Sequence, residues 1–121
     1  MKKYGKIIWQ DLTVDNATQV RDFYSEVAGW SFSDVNQGEY NDFNMINVDK
    51  EVVAGICHKK GELKNFPSQW LIYVTVENIE SSVAKCKSKG GKIIDGPKAM
   101  GKSKFAVIQD PAGAFMGLIE E

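Results

Sequence analysis

Residues 96–103 read GPKAMGKS and satisfy the phosphate-loop pattern G-x-x-x-x-G-K-[ST] letter for letter. In that motif backbone amides and a lysine hold nucleotide phosphates, but only where a strand precedes the loop and a helix follows it. Here the residues after Ser103 read KFAVIQDPAG, a strand pattern ended by Asp110-Pro111. Only 18 residues follow Ser103, too few for that helix and a further strand carrying a magnesium-binding aspartate. The match is read as a hairpin loop.

Other side chains with chemical capacity are few. Asp11 lies within KIIWQDLTV, a segment rich in β-branched and aromatic residues that suits a strand. If Ile8, Leu12 and Val14 face a helix, period-2 alternation sends Trp9, Asp11 and Thr13 to the opposite face. A partly desolvated carboxylate there would bind a ligand amine or hydroxyl, act as a general base, or make a structural hydrogen bond to Thr13 or Tyr73. Cys57 and Cys86 have neither disulfide-framework nor metal spacing and are expected to be free thiols in a reducing compartment. The single histidine, His58, ends its strand out of phase with Gly55 and Cys57 and reads as an edge residue.

The elements that position these residues emerge from an internal repeat. LTVDN at 12–16 is echoed by VTVEN at 74–78, an offset of 62, and the same offset superposes Gly29 on Gly91, Phe43 on Phe105, Ile46 on Ile108 and Gly55 on Gly117. Each half predicts a strand, a helix and three short strands. In the first half the strand spans 6–14, and Asn16 caps a helix whose apolar stripe is Val20, Phe23, Tyr24 and Val27. Strands follow near 30–35, 43–48 and 52–58. In the second half the strand is 70–76, and Asn78 caps a helix with Ile79, Val83 and Cys86 on its stripe. Strands near 92–95, 104–109 and 114–119 complete it. The fold expected is α+β: two tandem βαβββ modules, about 5–60 and 68–121, in one domain curled into a half-open cup. By the repeat, Leu71, Tyr73 and Thr75 match the inner positions of the first strand. Val53, Gly55 and Cys57 match Phe115, Gly117 and Ile119, while Trp70, of opposite phase to Leu71, is expected beneath a helix.

Bulk properties limit the function classes. The net charge of −1 supplies no field for nucleic acid, and the only arginine is Arg21, so the lysine cluster 85–104 reads as a solvated face. MKKYGKIIWQDL starts like a signal n-region, but Asp11 interrupts any apolar run and no small-residue cleavage site follows. No stretch reaches the roughly 18–20 apolar residues of a membrane span. The cytoplasm is the expected location.

WQDLTVDNATQVRDFYSEVAGW, VVAGI and the closing QDPAGAFMGLIEE together resemble the glyoxalase/bleomycin resistance protein/dioxygenase group, the vicinal oxygen chelate superfamily, and within it a glyoxalase-like branch. The resemblance implies paired βαβββ modules, often a homodimer, and commonly a divalent metal held by His and Glu on inner strands. The implied metal positions fall on Trp9, Gly55, Leu71 and Gly117, none of which ligates through its side chain. No cofactor is therefore expected. The leading reading is a metal-free small-molecule binder contacting its ligand through Trp9, Asp11, Thr13, Tyr73 and Phe115. One alternative is a lyase or isomerase using Asp11 and Tyr73 or an atypical metal. The other is a dimeric interaction module without a ligand.

Overall fold

The computed structural model describes residues 4–121, so the first three residues of the N-terminal stretch lie outside it. In chain order the elements are β1 (Ile7–Val14), α1 (Ala17–Val27), β2 (Ser31–Asn36), β3 (Asn41–Ile46), β4 (Val52–His58), β5 (Trp70–Thr75), α2 (Ile79–Ser88), β6 (Lys92–Met100), β7 (Ser103–Gln109) and β8 (Phe115–Glu120), with a short 3-10 turn at Gly61–Leu63. This is βαβββ twice, an α+β fold. The chain divides into two compact units, residues 10–70 and residues 71–121 with the start of β1 through Trp9.

Both units share one pairing scheme. β2, β3 and β4 form an antiparallel meander and β1 adds parallel to β4; β6, β7 and β8 form a second meander and β5 adds parallel to β8. A parallel pair needs a long crossover, which the helix and the meander supply. The helix packs on one face of its strands. In the first unit the core is Leu12, Ala17, Phe43, Met45, Ala54 and Ile56, joined by Val14, Val20, Tyr24, Trp30 and Trp70. In the second it is Ile79, Val83, Ala106 and Leu118, joined by Val74, Val76, Ile93 and Ile108. Trp70 does lie with the helix side, donating its indole N–H to the Tyr24 hydroxyl at 3.1 Å.

Three details depart from expectation. Of the α1 stripe only Val20 and Tyr24 reach the core; Phe23 and Val27 are 56% and 66% exposed, because the buried face of the helix runs through Ala17, Val20 and Tyr24. Asn16 makes no side-chain cap bond, whereas Asn78 accepts from Ser81 N at 2.8 Å. β6 runs through Pro97 to Met100, because two register shifts, one on either side of Asp95, absorb the proline at the edge of the meander. GPKAMGKS is therefore the end of β6, a turn at Gly101 and Lys102, and the start of β7, and no helix follows it.

The repeat is closer than the sequence revealed, and also one residue out of step. Asp11 opposes Gly55 in β1/β4, and Tyr73 opposes Gly117 in β5/β8, which keeps the offset of 62. Gly55 opposes Asn44, however, and Gly117 opposes Val107, an offset of 63. The coincidences Phe43/Phe105 and Ile46/Ile108 are therefore not structural equivalences. The hairpin turns agree with the longer offset. Asn47 Oδ1 accepts from Asp49 N and Glu51 N at 3.0 and 2.9 Å, and Asp110 Oδ1 accepts from Ala112 N and Ala114 N at 2.8 and 3.0 Å. These side chains are what end β3 at Ile46.

The extra residue is Val53. Met45 opposes Ala54 but Ile46 opposes Val52, so Val53 is bulged out of the ladder, and Phe115 has Val52 rather than Val53 as its counterpart. Gln10, which alternates in phase with the helix-facing Leu12 and Val14, donates its side-chain amide to the Val53 carbonyl.

In the turn after β3, Lys50 takes φ +66°, the position that Gly113 fills at φ +92° in the other hairpin. A residue with a Cβ pays a steric cost there that glycine avoids. Lys50→Gly is expected to raise stability by about 1 kcal/mol, read as a higher urea midpoint at unchanged slope, and Gly113→Ala to lower it.

Candidate functional site

Residues directly opposite one another in a ladder share a face. In the first unit, Ser33 opposes Asn44, Asn44 opposes Gly55, and Gly55 opposes Asp11, so the four form one row across the strands. Leu12 and Val14 pack with α1, which places this row on the face away from the helix. Thr13 and Cys57 oppose each other on the same face, one step along. Asp11 is half-buried there and Thr13 is fully buried. The alternation read from the sequence therefore holds for β1 and for β4 beyond the bulge at Val53.

Asp42, two residues before Asn44 on the same face, is a functional candidate that sequence reading missed. It is 4% exposed, and its Oδ1 accepts from His58 N at 2.8 Å and lies 3.3 Å from His58 Nδ1. A carboxylate acceptor requires Nδ1 to carry a proton. His58 is not an exposed edge residue: its side chain is 13% exposed, with its ring 5.2 Å from Tyr40 and 6.0 Å from Phe43. The signal for Asp42 was present in the alternation of β3, but the strand expected at 43–48 excluded it. Cys57 feels this polar face. Burial pushes its thiol well above the ordinary range, and the Asp11 and Asp42 carboxylates push it further the same way. The sulfur is held as a thiol, unsuited to nucleophilic attack.

In the second unit the corresponding row is Tyr73, Gly117, Val107 and Asp95. Tyr73 is 4% and Leu71 1% exposed. The Tyr73 ring lies directly on Gly117: a Cβ added there would sit 2.3 Å from Tyr73 Cδ2. Glycine is required at 117 by that close approach. Phe115 shares the face of Gly117 by alternation and is half-buried, as is Trp9. Asp95 is the residue the sequence concealed, because the two register shifts in β6 break its period-2 pattern. It is 7% exposed and paired through Oδ1 to Lys98 Nζ at 2.8 Å. Asp11 and Tyr73 thus hold matching ladder positions in their own units, with contrasting surroundings.

A family model for the glyoxalase/bleomycin resistance protein/dioxygenase superfamily matches residues 6–116. The chain is 25% identical over 117 residues to CFP32 of Mycobacterium bovis, a glyoxylase by name, covering 96% of this chain and 44% of that protein. It is 23% identical over 123 residues to the anthracycline biosynthesis protein DnrV of Streptomyces peucetius, covering 91% of this chain and 45% of that one. The chain thus spans less than half the length of the curated relatives it matches. Among solved structures it resembles a superfamily member from Vibrio splendidus, with TM-score 0.59, 13% identity and coverage of 96% and 100% of the two chains. It also resembles Streptomyces coelicolor methylmalonyl-CoA epimerase in complex with 2-nitronate-propionyl-CoA, with TM-score 0.57, 12% identity and coverage of 98% and 96%. At such identities the solved structures bear on the fold, and the family model adds the lineage. The chain belongs to the glyoxalase/bleomycin resistance protein/dioxygenase superfamily.

Proposed function

We propose that this chain binds a small organic molecule on the strand faces turned away from its helices, and does so without a transition metal. The observation that carries the reading is the pairing of half-buried Asp11 with Gly55, a ladder position at which the neighbouring strand contributes no side chain. A strand glycine permits close approach, and a carboxylate beside it supplies a directional polar contact of the kind small-molecule sites contain. Trp9 and Phe115 are the half-buried aromatic candidates for apolar contact, and Thr13 and Tyr73 are the more deeply buried members of the proposed set. The epimerase that shares the fold holds a small-molecule ligand, which supports the same class of function.

The metal common in the superfamily does not fit these residues. Leu71 is buried and apolar, and the Tyr73 ring occupies the space into which a ligating side chain at 117 would grow. Metal sites of this type need three donors from His, Cys or carboxylate, and no such group of three occurs among the described residues. Two further parts of the reading rest on simpler support. A homodimer is the assembly that the resemblance to the superfamily implies. Free Cys57 and Cys86 suit the reducing cytoplasm. No helix among the described residues is long and apolar enough to cross a membrane.

The first test is mass spectrometry of small molecules released on denaturing the purified protein. Against the molecule so found, Asp11→Asn is expected to fold normally and to lose about 1.5–3 kcal/mol of affinity, the worth of a charge-assisted hydrogen bond, with a smaller loss in Tyr73→Phe. Elemental analysis giving about one metal per chain, lost in Asp11→Ala, would overturn the metal-free reading.

The thiol gives an independent check. With its folded-state ionisation raised, Cys57 contributes stability that is complete below the ordinary thiol value of 9.0 and is lost as the pH rises above it. Native protein is expected to leave Cys57 unreacted with iodoacetamide at neutral pH, while unfolded protein reacts. Cys57→Ala is expected to flatten the alkaline fall in melting temperature.

A further inference from the structure

Asp95 is the polar exception on the strand face of the second unit turned away from α2. Its ladder partner Val107 is fully buried, and Phe105, which opposes Lys98, is 6% exposed. Val107 and Phe105 stand two apart in regular β7 and share a face, so their partners share it too. Alternation alone would send residues 95 and 98 to opposite faces. The two register shifts around Asp95 put both on this one, and Lys98 Nζ reaches Asp95 Oδ1 at 2.8 Å. Gly96 makes that path possible: at φ +86°, a Cβ there would sit 2.6 Å from the Phe105 carbonyl oxygen. Bulges of this kind re-aim side chains. The group aimed here is half satisfied. Asp95 Oδ1 has Lys98, while Oδ2 is closed to solvent and has no hydrogen-bond donor among the described residues. A buried carboxylate oxygen without a donor costs free energy, and apolar side chains of similar size would serve stability as well as a buried ion pair.

We propose that Asp95 and Lys98 form a binding site for a hydroxyl group carried on an apolar body, an alcohol or phenol, with the hydroxyl donating to Asp95 Oδ2. The site lies on one of the strand faces already proposed to bind a small molecule, and rests on that reading. The pair itself sets the class. Lys98 neutralises Asp95, so a cationic ligand would meet the ammonium and an anionic one the carboxylate oxygen, whereas a neutral donor meets neither repulsion. Val107 and Phe105 supply apolar contact beside it. A site that ends in a buried acceptor discriminates against an analogue lacking the hydroxyl, because the acceptor is then left unpaired. Access is by way of Lys98, whose side chain is 27% exposed where that of Asp95 is 5% exposed; the flexible lysine stem is the movable part of the wall.

Amide chemical shifts of the full chain, followed during titration with phenol, test this directly, with toluene and benzylamine as parallel arms. Phenol is expected to move the Asp95, Lys98 and Val107 amides saturably, with a dissociation constant about tenfold below that of toluene, the equivalent of one hydrogen bond to a charged group. In Asp95→Leu/Lys98→Met, where an apolar pair replaces the ion pair, phenol and toluene are expected to become equal. Asp95→Asn, which keeps the shape and removes the charge, is expected to weaken phenol severalfold and leave toluene unchanged. A pair with a structural role alone would move neither ratio. Phenol no tighter than toluene on the unaltered protein overturns the proposal, as does an undiminished preference for phenol in either folded variant. Tighter binding of benzylamine than of phenol overturns the neutral class. Phenol shifts confined to Asp11, Gly55 and Asn44 overturn the location while leaving the reading of the first-unit row standing.

Discussion

Parallel pairing of the first strand of each unit with its last is the constraint on which the rest depends. β1 lies beside β4, and β5 beside β8, so a helix and a meander must fit between the two members of each pair. The pairing fixes which residues share a row, and thereby sets Asp11 against Gly55 and Tyr73 against Gly117. It also brings the ends of β4 and β8 to the start of the helix in the same unit, as the Glu120 bond to Ile79 N shows. The candidate ligand face and the carboxylate that caps α2 are two products of one strand order.

Within that shared frame the two units have diverged in polarity. The first carries Asp11, Thr13, Asp42, Asn44 and Cys57 on the face away from its helix; the second carries Leu71, Tyr73, Thr75, Val107, Phe105 and Ile119, with Asp95 held by Lys98. A tyrosine ring packed on a glycine contributes apolar burial, whereas a carboxylate beside a glycine contributes a directional contact. Two copies of one scaffold therefore supply different chemistry at equivalent positions. An apolar row buried to a few per cent chiefly stabilises its own unit, and the polar row is where recognition is the more economical explanation.

The class of fold and the phase of β1, β4, β5 and β8 were legible in the sequence, because period-2 alternation is strict where strands are regular and one face packs on a helix. What escaped was irregular. One more residue in the second unit ahead of β7 put the gapless repeat one residue out through β3 and made Phe43/Phe105 look equivalent, and the bulge at Val53 brought it back into step by β4. The two shifts in β6 hid Asp95, and the Asx turn at Asn47 moved β3 toward its start, so Asp42 was left out of the strand. A cap is likewise invisible to composition: Asn16 and Asn78 are the same residue at the same repeat position, yet only Asn78 caps its helix. Which oxygen finishes a helix depends on what stands at the end of a strand some forty residues away.

The bulge at Val53 has the character of a frameshift that the fold has contained. One added residue in a strand would ordinarily invert every side chain beyond it, placing Gly55 and Cys57 under α1 and Ala54 and Ile56 on the opposite face. Gln10, on the adjacent strand, holds the Val53 carbonyl and pins the surplus residue at the mouth of β4. Downstream of that point the reading phase of the strand is restored. The two halves can therefore drift in length by single residues near their hairpins without losing the interior register, which is how an ancient duplication can stay legible in its centre while becoming unreadable at its turns.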